Sequence, residues 1–185
     1  LLEPSLKTPL FAAIENSQTH IVHYLLKFYR DRINLSAKDA DGLTPLHVAA
    51  SCQSLPSLRL LLAAGADPNV PGPQSVPPII SACLVKGNVP IVRALVHAGA
   101  DVNYTYSPEE GYKLSPLLIA VLQDDIELCK YLLLDARADT QSLDDDIREQ
   151  LAQFAQTVLQ EEKVHRTLQA PDGLRSALTT AKASM

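Results

Sequence analysis

The stretch Asp41–Asn69, DGLTPLHVAASCQSLPSLRLLLAAGADPN, most restricts what this chain can fold into, because its pattern returns along the sequence. Asp41-Gly42 is a turn pair. Thr44-Pro45 opens a short apolar helix, with proline in the first turn, where its missing N–H costs nothing. The chain turns again from Ser54 to Pro56. Leu58, Leu60, Leu61 and Leu62 then fill a second helix that Gly65 ends. Thr8-Pro9-Leu10 and Ser115-Pro116-Leu117 repeat the opening, and Pro78-Ile79 abbreviates it. Gly65-Ala66-Asp67-Pro68-Asn69 returns as Gly99-Ala100-Asp101-Val102-Asn103. A helix pair that recurs about every 33 residues cannot bury its apolar face alone and must stack on its neighbours.

With its Thr-Pro-Leu-His-x-Ala core at Thr44–Ala49, the chain resembles the ankyrin-repeat family from roughly Thr8 to Asp139. The resemblance implies an all-α solenoid of helix-turn-helix repeats joined by β-hairpin loops. The repeats fall at about 5–36, 41–70, 74–104 and 112–140, inside an array spanning 1–143. It also implies that Thr44 and His47 hold the helix start in shape, so His47 is structural. Phe11, Ile80 and Leu118 replace that histidine elsewhere, which removes any idea of a repeated ligand. Asn69 and Asn103 stand where asparagines of the family are hydroxylated; their ordinary role is a side-chain hydrogen bond that fixes the hairpin.

The sequence departs from the pattern in four places. Phe28-Tyr29-Arg30-Asp31-Arg32 replaces the glycine cap of the first repeat, so its second helix is expected to run on before turning. Pro68, Pro71, Pro73, Pro77 and Pro78 crowd the next junction, which they stiffen while removing donors, so a β-bridge there should be poor. The hairpin from Asn103 to Lys113 is longer than the family norm and gathers Tyr104, Tyr106 and Tyr112, three of the chain's 6 tyrosines, beside Glu109 and Glu110. Arg137 stands where glycine usually caps, which predicts an irregular last turn.

After Thr140 the repeat stops. Asp144-Asp145-Asp146 places carboxylates at the positive end of a new helix, and Ile147, Leu151, Phe154, Ala155 and Val158 form one apolar stripe. A terminal repeat needs a cover with a polar outer face, so 144–168 reads as a capping helix and 169–185 as a tail or short helix.

Composition narrows the function. With 46% hydrophobic and 20% charged residues the chain is a packed protein, and its net charge of −5 provides no global field for nucleic acid. No apolar run is long enough to span a bilayer. Cys52, Cys83 and Cys129 form no Cys-x-x-Cys pair and fall in helices, two of them at packing positions, which points to reduced thiols in an intracellular protein, cytoplasmic or nuclear. There is no phosphate loop, no His-Glu-x-x-His and no nucleophile elbow. His20 and His23 lack a third ligand, and helix capping explains the triple aspartate without a cation. No enzyme, cofactor or metal is therefore expected. The sole methionine is Met185 and the chain opens Leu1-Leu2, which reads as a monomeric fragment of a longer protein.

The resemblance implies recognition of a protein or peptide across a concave surface of hairpin tips and first helices. On that alignment Lys38, Asp39 and Leu43 supply one tip. Ser51 and Cys52, Leu84 and Val85, and Leu122 and Gln123 supply successive rows. Tyr104, Tyr106, Glu109, Glu110 and Tyr112 supply the long hairpin. The alternative is a regulatory or targeting domain of a larger enzyme. His23, Arg59, Arg93 and Lys130 share one position in successive second helices and should form a basic row on the opposite side.

Overall fold

The computed structural model describes residues 8–107 and 114–140, together with Glu149. The chain divides into two units, Leu1–Ser142 and Leu143–Met185. The expected capping helix and tail, and Glu109, Glu110 and Tyr112 of the long hairpin, lie outside the described residues.

The first unit is a run of helix pairs: α1 (Pro9–Glu15) with α2 (Thr19–Phe28), α3 (Pro45–Ser51) with α4 (Leu55–Ala63), α5 (Pro78–Cys83) with α6 (Val89–His97), and α7 (Pro116–Leu122) with α8 (Ile126–Lys130). Each first helix starts with proline, preceded by Thr8, Thr44, Pro77 or Ser115 in extended conformation. These helices are too short to persist alone, so packing must hold them. The first helices pack in sequence, α1 on α3, α3 on α5 and α5 on α7. The second helices α2, α4 and α6 pack the same way behind them. The core is the layer between: Phe11, Ile14, Leu46, Leu58, Leu61, Ile79, Ile80, Leu95, Leu117 and Leu128 are all buried. Ala49, Ala50 and Ala82 are fully enclosed, which lets the helices approach closely.

Buried polar groups join the repeats. Asn88 Nδ2 donates to the carbonyls of Ala50 and Ala82, one in the preceding repeat and one in its own. Asp125 caps α8 through the Leu128 N–H and reaches back to accept from the Gly87 N–H at 2.8 Å. The asparagines at the hairpin bases do the same. Asn69 donates to the Gly99 carbonyl and accepts from the Asp101 N–H, and Asn103 accepts from the Asp139 N–H.

The departures from the repeat have local consequences. The helix α2 does not run on, as the missing glycine suggested. It stops at Phe28, and a single 3-10 turn, Arg30–Arg32, follows. The backbone leaves the helical region at Tyr29 (φ −127°, ψ 18°), and Arg30 in the following turn donates through Nε to the Ala64 carbonyl at 2.7 Å, at the C-terminal end of α4. Gly65 and Gly99 sit at φ +88° and +92°, where glycine is the natural residue. Arg137 takes a left-handed conformation without being glycine, and the turn before it, Tyr131–Asp135, is π-helical. The proline-crowded junction makes no bridge among the described residues. It holds a 3-10 turn, Pro73–Ser75, closed by Gly72 N–H to the Val76 carbonyl at 2.7 Å. The long hairpin does make one antiparallel bridge, Tyr106 with Leu114.

Candidate partner-binding surface

The residues expected to face a partner sit where the first helices end. Counted from the helix-opening proline, Glu15, Ser51, Leu84 and Leu122 share one position, and Asn16, Cys52, Val85 and Gln123 share the next. Asn16, Ser51 and Cys52 are exposed and Glu15 is half-buried. In the first of the two rows the later residues are apolar: Leu84 is 57% exposed and Leu122 59%. Gln123 Nε2 donates to the Leu84 carbonyl at 3.1 Å and ties the two rows together. Leu84 and Leu122 are thus large apolar side chains left exposed at the ends of the adjacent helices α5 and α7.

The tip made by Lys38, Asp39 and Leu43 is a closed turn. Asp39 Oδ1 accepts from the N–H groups of Asp41 and Leu43, and its own N–H donates to the Leu43 carbonyl. The Asp39 carboxylate therefore organises the tip, Leu43 is half-buried and Lys38 is exposed.

In the long hairpin, Tyr104 and Tyr106 fold back. Tyr104 donates its hydroxyl to the Ser75 carbonyl at 2.6 Å, and Tyr106 donates to Gln74 Oε1. Both rings are half-buried, and both hydroxyls are engaged with the preceding hairpin. That arrangement matches a loop-ordering role for these two rings.

His47 is structural. Its Nδ1 accepts from the Thr44 N–H and lies 2.7 Å from Thr44 Oγ1, so Nε2 carries the proton and donates to the Val76 carbonyl at 2.9 Å. Burial holds the imidazole below the ordinary histidine range, opposed by the Val76 carbonyl. No disulfide involves Cys52, Cys83 or Cys129. Burial, with the Asp125 charge beside it, pushes the Cys83 thiol up to about 12 and the Cys129 thiol up to about 11, so neither is a ready nucleophile. Among the described residues no group of three metal-ligating side chains is close enough to hold an ion, and no helix is long and apolar enough to cross a membrane.

Sequence reasoning missed Arg30, Gly72, Asn88 and Asp125. Asn88 and Asp125 had a signal, since each stands at a helix N-cap position. Arg30 had none, because its partner lies in the next repeat.

Stacked helix pairs, each packed on its neighbours, define a helical-repeat solenoid. The chain belongs to the ankyrin-repeat family: residues 2–72 match "Ankyrin repeats (3 copies)" and residues 79–133 match "Ankyrin repeats (many copies)". Among curated proteins it is similar to a putative ankyrin repeat protein of fowlpox virus, 28% identical over 68% of this chain and 36% of that protein. It is also similar to the tyrosine-protein kinase HTK16 of Hydra vulgaris, 29% identical over 82% of this chain and 20% of the kinase. A zinc finger CCCH domain-containing protein of Arabidopsis thaliana is 36% identical over 49% of this chain and 13% of its own length. The chain thus spans from 13% to 36% of the length of these relatives.

Proposed function

We propose that this array is a non-catalytic protein-interaction module that binds a peptide or protein surface along the concave face formed by its first-helix ends and hairpin tips. The carrying observation is the exposed pair Leu84 and Leu122, at 57% and 59%, on adjacent first helices. An apolar anchor of the partner would cover both leucines, while Ser51, Cys52, Val85 and Gln123 extend the contact across the rows. The rigid stack presents these groups preformed, so binding does not carry the cost of ordering them. The test is affinity capture followed by mass spectrometry, using the wild-type chain and Leu84→Ser/Leu122→Ser. The expected result is an unchanged melting temperature with specific loss of one or more captured proteins. Identical capture profiles would remove the leucine pair from the interface.

A second reading, a regulatory or targeting domain of a larger enzyme in an intracellular setting, draws support from the similarity to part of a much longer tyrosine-protein kinase. The sequence of the full-length protein discriminates: a catalytic domain in the same chain supports regulation, and its absence supports an adaptor.

A further inference from the structure

The helices α2, α4 and α6 read THIVHYLLKF, LPSLRLLLA and VPIVRALVH. None holds an aspartate or glutamate, although the chain has 21 acidic and 16 basic residues. The charge of this face is therefore segregated against the sign of the whole molecule. His23, Arg59 and Arg93 stand at one position in the three helices and are all exposed.

Open grooves lie between these helices, and Arg59 and Arg93 are the charged members of the row. Between α2 and α4 a groove of about 740 Å³ is bordered by His20, His23 and Arg59 and lined by Leu55, Leu60 and Ala63. Between α4 and α6 a second, of about 660 Å³, is bordered by Arg59, Arg93 and His97, with Leu62 and Val89 in its lining. Arg59 borders both. Arg93 is already held by the next repeat, stacked 4.7 Å from the Tyr131 ring centroid and 3.5 Å from Asp135. Arg59 has no carboxylate partner among the described residues.

We propose that the α2–α4–α6 face is a second docking surface, distinct from the first-helix face, for an acidic amphipathic helix of a partner protein. Aliphatic side chains of that helix enter a groove, and its flanking carboxylates meet Arg59 and the neighbouring basic rim. The two requirements select this occupant. The grooves demand apolar side chains on an elongated scaffold, which a helix laid between two helices supplies. The rim demands negative charge, which raises encounter rate and selects partners. Two arginines give few phosphate contacts for a nucleic-acid backbone.

The test uses fluorescence anisotropy of the whole chain with a labelled helical peptide bearing a leucine stripe flanked by glutamates. Saturable binding is expected, weakened about threefold to tenfold by Arg59→Glu and less by Arg59→Gln. Both variants should keep the wild-type melting temperature, because the Arg59 side chain is exposed. A peptide with lysines in place of the glutamates should not bind, and Leu84→Ser/Leu122→Ser should bind like wild type. Unchanged affinity in both Arg59 variants, equal binding of the lysine peptide, or loss of binding in the leucine variant would each overturn the assignment. So would association with phosphatidylserine vesicles when the peptide itself does not bind.

Discussion

The Tyr104 hydroxyl donates to the Ser75 carbonyl at 2.6 Å, across the gap between two successive hairpins. Ser75 sits at φ +64°, next to Gln74 at φ +52°, and the Tyr106 hydroxyl donates to the Gln74 side-chain Oε1. Left-handed conformations are costly for residues other than glycine and persist where surroundings fix them. The two tyrosines of one repeat thus brace the strained tip of the previous one.

Removing both hydroxyls should loosen that tip with little effect on the core. Tyr104→Phe/Tyr106→Phe should lose about 1 kcal/mol of stability, at the modest end for partly exposed hydrogen bonds. Amide exchange should accelerate at Gln74 to Val76 and stay unchanged in α5. Urea melts and hydrogen exchange check both statements. An unaltered tip would show that backbone bonds alone hold it.

Gly72 is a packing glycine. A Cβ built there would lie 2.7 Å from His47 Nε2, the nitrogen that donates to Val76. Gly72→Ala should therefore cost about 1 to 3 kcal/mol by forcing the imidazole or the loop aside. In a double-mutant cycle with His47→Ala the two changes should couple strongly, because they share one contact. Additive costs in urea denaturation would rule the contact out as the cause.

The same histidine gives stability a pH dependence. Burial lowers the folded-state pKa of His47, whereas in the unfolded chain it titrates near the ordinary value of about 6.5. Below that value the unfolded chain takes up a proton that the folded one resists. The contribution is complete above about pH 6.5 and is lost as pH falls through the lowered folded value. The urea midpoint should drop between pH 7 and pH 5.5, and by less in His47→Gln. Equal drops in both proteins would place the proton uptake elsewhere.

Leu61 is fully buried on α4, between the helix layers of an inner repeat. Leu61→Ala should cost about 2 to 5 kcal/mol and, since each repeat touches only its neighbours, should uncouple the two ends of the array. A loss under about 1 kcal/mol in urea melts would contradict such a position.

The thiols should divide sharply. Cys52 is exposed, while Cys83 and Cys129 are buried with raised pKa values of about 12 and 11. At pH 8 one thiol of the native chain should react fast with an aromatic disulfide reagent, and all 3 should react in denaturant. Fast reaction of Cys83 in the native chain would mean that α5 opens readily.

Much of this architecture was legible in the chain alone. Proline after Thr8, Thr44 and Ser115 marks helix starts, and Gly65 and Gly99 mark helix ends, because these residues act through their own backbone geometry. The Thr44–His47 pair spans one turn and was equally readable. Leu84 and Leu122 could be placed at equivalent positions by counting from their prolines, but their shared exposure on one face depends on stacking. What the sequence could not decide are contacts between groups tens of residues apart. Arg30 reaches Ala64, Asp125 reaches back to Gly87, and Tyr104 turns from a projecting ring into a brace on Ser75. Local signals mark the helix starts at Pro9, Pro45 and Pro116 and the helix ends before Gly65 and Gly99, but not the end of α2. Only the packed array fixes which polar group of one repeat satisfies the orphaned group of the next, because those partners meet through stacking and not through sequence proximity.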